Sequence, residues 1–245
     1  MRIPRFYTTL ALEPGASMPL EAGPSQHIAR ALRMQAGDAL VLFDGTGGEF
    51  PAELLAVGKK EVVVKLGEHS NQEVESPLAL HLGIAISRGD RMDWVVQKAT
   101  ELGVTTLSPL FTERTEVKLS GERADKKLRH WQQIAVSACE QCGRNRLPGI
   151  PGLWTLQQWL HRTRAEQKLV LHHRAGAGDA AATTAPQSIA LLVGPEGGLS
   201  DAEIATAEVA GYRSVRLGPR VLRTETAPLA ALAILQARWG DMSAN

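Results

Sequence analysis

Short apolar runs separated by turn signals fill the first 70 residues of the chain. The runs cover residues 39–43, 49–57 and 61–66. The dipeptides Asp44-Gly45 and Gly47-Gly48 separate the first two runs. Runs of this length bounded by glycine are typical of strands joined by tight turns, so the spacing predicts a small β-barrel. The polar segment 68–77 ends in proline and is predicted to be a linker.

One helical pattern interrupts these strands. Pro24-Ser25 favours a helix start, and Gly37 favours its end. Between them Ile28 and Leu32 recur at helical spacing, and Met34 follows shortly afterwards. We therefore expect these three apolar side chains to face the inside of the small domain.

The second part of the chain alternates between strand and helix patterns. Predicted strands cover residues 78–86, 104–111, 168–172, 189–193 and 214–217. Predicted helices cover residues 90–102, 123–142, 155–164, 200–211 and 225–239. Ser200 and Glu203 have the spacing of a capping box, and the runs at 168–172 and 189–193 are apolar throughout, as in buried parallel strands. This alternation predicts an α/β fold with a parallel sheet covered by helices.

Composition and charge narrow the class of protein. The 245 residues are 44% apolar and 22% charged, which is ordinary for a globular protein. A net charge of +1 excludes a uniformly basic nucleic-acid coat but leaves room for a local basic patch. Two cysteines cannot make a disulfide framework, and the apolar stretch at about 227–235 falls short of the roughly 20 residues that cross a bilayer. With no signal-peptide pattern at the start, we expect a soluble cytoplasmic protein.

Three candidate ligand loops follow predicted strands. They lie at residues 171–173, 194–198 and 218–226. In parallel α/β sheets the ligand usually binds beyond the carboxyl ends of the strands. In the GPEGG loop, Pro195 fixes φ, whereas Gly197 and Gly198 permit positive φ and put no Cβ in the way of a ligand. Such a loop suits a flat heterocycle such as adenine, but it would equally serve as a tight turn before the capped helix.

The third loop has an unusual density of charge. Arg220, Arg223 and Glu225 lie within six residues of one another, and a plain connection needs no such cluster. Thr224 or Thr226 could cap the last helix, but capping does not account for the two arginines and the glutamate. We therefore favour a functional loop.

Three weaker motifs have structural explanations. The pattern at 176–181 matches a dinucleotide-binding G-x-G-x-x-A, but that fingerprint must open a helix, and threonines and a proline follow it. Cys139 and Cys142 lie near the end of a predicted helix, whereas redox pairs favour a helix N-terminus, and a zinc site would need two more ligands. His172 and His173 are adjacent, so they point to opposite faces of a strand and are unsuited to joint metal ligation.

Arginines suggest where RNA phosphates could bind. The first 36 residues hold four arginines against two glutamates, and two more arginines follow the predicted end of the long helix, where guanidinium groups can bind phosphate. An ordinary solvated surface is the alternative. The residues concerned are Arg5, Arg30, Arg33, Arg144 and Arg146.

Longer motifs resemble a known family. They are QKATELGV at 97–104, EQCGR at 140–144 with Pro148, GPEGG at 194–198 and LGPRVLRTETA at 217–227. In this order they resemble the RsmE family, the small-subunit ribosomal RNA methyltransferases that form N3-methyluridine. The first domain is similar to that of the family as well, at Arg5-Phe6, His27-Ile28, Leu32–Met34 and Gly37-Asp38.

The resemblance implies an architecture and partners. It implies a PUA-like β-barrel RNA-binding domain at 1–72 and a SPOUT methyltransferase domain at 73–245 that ends in a deep trefoil knot. True knots are very rare, so pattern alone would not propose one. It further implies S-adenosylmethionine as methyl donor without a metal, 16S ribosomal RNA in the small ribosomal subunit as substrate, and a homodimer with no membrane contact.

The resemblance also implies roles for residues of the three loops. The cofactor-binding residues would be Leu171, His172, Gly194, Pro195, Glu196, Gly197, Gly198, Leu217, Gly218, Leu222 and Thr226. The chemistry of uridine N3 methylation, rather than the resemblance, suggests the catalytic roles. We expect Arg223 and Arg220 to stabilise the anion that develops as uracil N3 loses its proton. Glu225 would either accept that proton or hold an arginine by an ion pair.

Two other classes of function remain open from the residues themselves. A pure RNA-binding module would explain the barrel and the basic patch, but not the GPEGG and RTET loops. A nucleotide-cofactor oxidoreductase would use the glycine pattern at 176–181.

Overall fold

The computed structural model describes residues 3–58, 61–173 and 185–242. Contacts within the chain divide it into two compact units. One comprises Met1–Glu75 and Cys139–Leu147, and the other comprises Ser76–Ala138 and Pro148–Asn245. The glycine pattern at 176–181 lies outside the described residues.

The first unit is built on a five-stranded sheet. Its strands are β1 (Arg5–Tyr7), β2 (Ser17–Pro19), β3 (Ala39–Phe43), β4 (Phe50–Val57) and β5 (Val62–Leu66). The order is β1-β3-β4-β5-β2, with β1 and β3 parallel and the other pairs antiparallel. The three strands predicted from the apolar runs are confirmed. The two others span three residues each, too few to produce a recognisable alternation.

The helix of the first unit is shorter than its sequence pattern predicts. Helix α1 (Ala22–Gln26) continues as a six-residue π-helix, His27–Leu32. The chain then leaves the helix through Arg33, whose φ is +53°. Ile28 is fully buried as expected, but Leu32 is 44% exposed. The expectation for Leu32 was wrong because the wider i→i+5 turns rotate it away from the face that a 3.6-residue turn would give it.

The second unit contains the predicted parallel sheet. Its strands are β6 (Ala79–Ala85), β7 (Val104–Phe111), β8 (Trp154–Thr155), β9 (Gln167–Leu171), β10 (Ser188–Val193) and β11 (Arg213–Val215). Their order is β11-β9-β10-β6-β7-β8, and every pairing is parallel. The α/β prediction is therefore confirmed.

The helices of the second unit agree with the predicted segments to within a few residues. They are α2 (Arg91–Glu101), α3 (Gly121–Cys142), α4 (Leu156–Arg162), α5 (Asp201–Val209) and α6 (Thr226–Trp239). The predicted capping box is present at α5, where Ser200 accepts from the Glu203 N–H and Glu203 accepts from the Ser200 N–H. The last turn of α3 belongs to the first unit. No described helix is both long and apolar enough to cross a membrane.

The order of the strands differs from their order along the chain. Strand β9 lies between β11 and β10, so the chain reaches the edge of the sheet with β11. It then returns to α6, which packs on α2 and β10. A knot in this domain would involve this return, and the knot itself stays a prediction. Because β9, β10 and β11 are parallel, the three loops singled out from the sequence leave the sheet at the same edge.

Candidate functional site

A cleft of about 300 Å³ lies where β9, β10 and β11 end. All three loops expected from the sequence contribute to its wall. Nine of the proposed cofactor-binding residues line it, together with Arg220: Leu171, His172, Gly194, Pro195, Glu196, Gly197, Gly198, Leu217 and Leu222. The structure thus brings together residues that are separated by up to 51 positions in the chain.

Four other proposed residues belong to the same loops without lining the cleft. They are Gly218, Arg223, Glu225 and Thr226. Arg223 is exposed, and it follows the cleft-lining Leu222 directly. Its carbonyl accepts hydrogen bonds from the N–H groups of Thr226 and Ala227, both at 2.9 Å. Glu225 occupies the N-cap position of α6 without a side-chain capping bond, so a threonine cap does not explain this loop.

The GPEGG loop is a closed turn with open space beside it. The Gly198 N–H donates to the Pro195 carbonyl at 2.9 Å. Gly198 has a φ of +69°, and a Cβ on it would meet nothing within 4 Å. Glycine is therefore needed here for its backbone conformation rather than for space. At Gly194 the reason is space, because a Cβ would approach the Leu199 nitrogen to 2.8 Å.

Arg114 is a residue of the cleft that sequence reasoning missed. It follows β7 and donates from Nη1 to the Gly197 carbonyl at 2.8 Å. It lines the cleft on the side of the GPEGG loop, as Arg216 does near β11. The available signal was its position just beyond the carboxyl end of a predicted parallel strand, the same rule that indicated the other three loops.

An ion-pair network surrounds the carboxylate of the GPEGG loop. Glu196 Oε1 accepts from Arg91 Nη1 at 2.8 Å and from the Arg88 N–H at 3.3 Å. The other side of the Arg91 guanidinium faces Glu225, with Nε 3.7 Å from Oε2. Partial burial raises the pKa of Glu196, but hydrogen bonds from its own and the Arg88 backbone and from Arg91 outweigh this effect. The pKa of Glu196 is therefore held below its usual value, and the group is an anion at neutral pH.

The backbone of His172 joins the ends of two strands. Its N–H donates to the Val215 carbonyl at 2.9 Å, which joins the end of β9 to the end of β11. Its ring packs edge-on against the ring of His173. Among the described residues, no cluster of His, Cys, Asp and Glu could hold a metal ion.

The proposed RNA-binding arginines of the first unit fall into two groups. Arg30 and Arg33 are exposed on and just after the π-helix, and Arg146 is largely exposed, with Nε 3.6 Å from a Glu73 oxygen. Arg144, in contrast, is 4% exposed. Its Nη2 and Nε hold the Glu75 carboxylate at 2.7 and 2.9 Å.

Arg5 is also engaged inside the first unit. It donates to the Glu49 carboxylate and to the Asn145 side chain, and the Asn145 amide donates to the Gln72 carbonyl at 2.7 Å. A phosphate could reach Arg5 or Arg144 only if these contacts opened. The structure therefore brings Arg144 of the EQCGR motif into a largely buried polar network rather than onto an open basic face.

Cys139 is buried near the same network, whereas Cys142 is half-buried. Cys139 is fully buried, and its thiol contacts the Arg146 carbonyl at 3.6 Å. Burial raises the pKa of Cys139 to about 12. The thiolate required for redox chemistry or metal ligation is thus disfavoured, which agrees with the structural interpretation of this pair.

Comparisons with known proteins agree with the two units. The family model of an RNA methyltransferase domain matches residues 74–236. The model of an RNA methyltransferase PUA domain matches residues 25–67. The second match confirms the PUA-like domain expected at the start of the chain.

Full-length relatives extend this agreement. The chain is 36% identical to the ribosomal RNA small subunit methyltransferase E of Buchnera aphidicola over 99% of both chains. It is 35% identical to the Bacillus subtilis protein of that name, over 85% of each.

Solved structures with bound cofactor are similar as well. A putative methyltransferase from Legionella pneumophila in complex with SAM has a TM-score of 0.94 at 42% identity, covering 99% of this chain and all of that one. The ribosomal RNA small subunit methyltransferase E from Neisseria gonorrhoeae bound to S-adenosyl methionine has a TM-score of 0.90 at 38% identity, with the same coverage.

Proposed function

The chain belongs to the family of ribosomal RNA small subunit methyltransferase E, and on this premise we propose that it transfers a methyl group from S-adenosylmethionine to N3 of a uridine in 16S ribosomal RNA. The main observation behind this proposal is that three loops meet in one cleft at the ends of parallel strands. Full-length relatives with bound cofactor support the same conclusion.

The residues of the cleft fit the proposed cofactor. The backbone of the GPEGG loop offers donors and acceptors at the edge of a flat ring, and open space lies beside Gly198. Leu171, Leu217 and Leu222 provide apolar surface from the other loops. When bound, S-adenosylmethionine supplies an electrophilic methyl group on a sulfonium. The tasks left to the chain are therefore to bind and orient the nucleophile and to activate it.

Activation of uracil is the harder part of the reaction. The N3–H is weakly acidic and must lose its proton before or during attack. A guanidinium near O2 or O4 lowers the energy of the developing anion, and flipping would expose the base. Arg220 lines the cleft and Arg223 follows it directly. We assign this electrostatic role to Arg223 first and to Arg220 second.

The two parts of the chain divide the work in this proposal. Residues 1–72 bind RNA, and residues 73–245 carry out methyl transfer. Arg30, Arg33 and Arg146 contact phosphates, whereas Arg144 through Glu75 and Arg5 through Asn145 hold the segment around EQCGR in place. The substrate is the small ribosomal subunit, and the site of action is the cytoplasm.

A homodimer completes the proposal. Trp94 on α2 is 51% exposed and Ile234 on α6 is 54% exposed, and these two helices pack on each other. Large apolar side chains on neighbouring exposed faces favour a protein interface. We place the RNA site at this interface, as the family resemblance implies.

The first prediction concerns the reaction itself. Purified protein mixed with S-adenosylmethionine and small subunits from a strain lacking the enzyme should add one methyl group to one uridine of 16S RNA. Mass spectrometry of nuclease fragments locates the group, and its chromatographic identity with 3-methyluridine establishes N3. Titration calorimetry should show binding of S-adenosylmethionine but not of NAD. Binding of NAD alone, or methylation at carbon 5, would contradict the proposal.

Replacement of Arg223 tests the electrostatic role. Arg223→Ala should lower kcat and kcat/KM together by about 10²–10³-fold, since the contact forms mainly in the transition state. The affinity for S-adenosylmethionine should change far less, because Arg223 does not line the cleft. Raised pH should partly restore the rate, since a deprotonated N3 needs less help. A defect confined to KM for RNA would instead make Arg223 a binding residue.

The two groups of arginines in the first unit should behave differently. Arg33→Ala removes an exposed charge, so RNA binding should weaken and its log-log salt slope should fall by roughly one unit at unchanged stability. Arg144→Ala leaves Glu75 without its buried partner and should lower the free energy of unfolding by about 3 kcal/mol. Salt titrations and urea denaturation measure the two effects. Equal salt slopes in Arg33→Ala and the wild type would show that Arg33 lies on an ordinary solvated surface and does not contact RNA.

The dimer can be tested by charge insertion. Ile234→Glu should shift the sedimenting mass from twice the chain mass of 26.4 kDa to the chain mass itself, because a carboxylate would be buried in the interface. Val209→Glu on α5 is the matched control, since Val209 is 92% exposed. A wild-type monomer, or equal behaviour of the two variants, would contradict the proposed interface.

A further inference from the structure

The Arg91 guanidinium touches two loops of the cleft that are 29 residues apart in the chain. Nη1 lies 2.8 Å from Glu196 of the GPEGG loop, and Nε lies 3.7 Å from Glu225 at the start of α6. We propose that Arg91 is a positioning residue which couples the cofactor loop to the arginine-bearing loop, and that Glu225 serves as its partner rather than as the proton acceptor. The proposal rests on the methyltransferase function proposed above.

The position of Arg91 suits a fixed anchor. It is the first residue of α2, an eleven-residue helix. That helix buries Met92, Val95, Val96 and Ala99 completely in the core. The backbone that carries Arg91 is therefore held by packing, and its guanidinium can hold the two loops that it contacts.

The first of the two Arg91 contacts is with the proposed cofactor loop, GPEGG at 194–198. Glu196 lies between Pro195 and the two glycines, and it lines the cleft. It receives hydrogen bonds from Arg91 and from the Arg88 backbone. The contact to Arg91 therefore adds to the Arg114 bond in fixing the backbone groups that would hold the cofactor.

The second Arg91 contact is with the arginine-bearing loop at 218–226. The Glu225 side chain is 25% exposed, and its residue is the N-cap of α6. The Arg223 carbonyl accepts from the N–H groups just after Glu225, so a shift of Glu225 changes the turn that presents Arg223. Contact with Arg91 therefore sets the direction of the proposed catalytic guanidinium.

This arrangement also bears on the path of the proton. Methyl transfer forms the N3–C bond and breaks the C–S bond, whose electron pair stays on sulfur, and the N3 proton must leave. Protonation of Glu225 would remove the charge that pairs with Arg91. Because the Glu225 carboxylate faces Arg91, with Oε2 3.7 Å from Nε, the proposal assigns the N3 proton to solvent water rather than to Glu225.

A double-mutant cycle tests the coupling. Arg91→Ala should raise the Kd for S-adenosylmethionine and lower kcat, each by roughly threefold to tenfold for partly exposed pairs. Glu196→Gln should affect mainly the Kd, and Glu225→Gln mainly kcat. In the Arg91→Ala background each glutamine variant should have little further effect. Arg91→Lys should restore part of both losses, and Arg129→Ala on the exposed face of α3 is the charge-matched control.

Two outcomes would overturn the proposal. A loss of more than a hundredfold in kcat for Glu225→Gln, equal in both backgrounds, would make Glu225 the proton acceptor. Additive effects in both double variants would show that Arg91 does not couple the two loops.

Hydrogen exchange of the amides at 223–227 gives a readout that is independent of activity. Glu196→Gln should accelerate it if the loops are coupled, and unchanged exchange would count against the coupling. Coupled exchange in a protein that methylates no RNA would refute the proposed function and leave the coupling intact. Melting temperatures close to that of the wild type exclude misfolding as the cause, and the conservative lysine and glutamine variants keep the test valid if Arg91→Ala fails to fold.

Discussion

The parallel pairing of β9, β10 and β11 is the constraint on which the candidate site depends. Parallel strands direct all their carboxyl ends to one edge of a sheet, so the loops that follow them must meet there. The register pairs Leu171 with Val215 and Val170 with Leu192, which brings the loops beyond these strands to the same level. A cleft at this edge follows from the backbone, before any side chain is specified.

Polar side chains then set the positions of the loops that the sheet brings together. Arg114 holds the Gly197 carbonyl, and Arg91 holds Glu196 and Glu225. Both arginines come from earlier in the chain: Arg91 belongs to α2, which is packed in the core, and Arg114 lies in the turn after β7. Flexible glycine loops thus gain a defined shape without losing the small size that leaves room for a ligand.

Largely buried polar contacts have a comparable role in the first unit. Arg144 with Glu75, and Arg5 with Asn145, join the segment after α3 to the rest of that unit. Removing a single partner from such a pair is costly, because it leaves an uncompensated buried charge. Motifs rich in arginine in an RNA-modifying family therefore need not be RNA contacts, and the burial of each guanidinium decides between the two roles.

The sequence alone determined much of this protein. Apolar runs and capping signals predicted the helices and the longer strands, and the three candidate loops were recognisable from glycine, proline and charge at predicted strand ends. Local patterns carry this information because strands, caps and turns depend on neighbours within a few residues.

The tertiary structure decided what depends on distant partners. It turned Leu32 outward through π-helical turns, buried Arg144 against Glu75, and brought Arg91 and Arg114 to loops that no motif linked them to. Whether an arginine binds a carboxylate of its own chain or remains free for a phosphate depends on which acidic residue lies beside it in space. Arg144 and Glu75 are 69 positions apart, and no periodicity in the sequence could reveal that they pair.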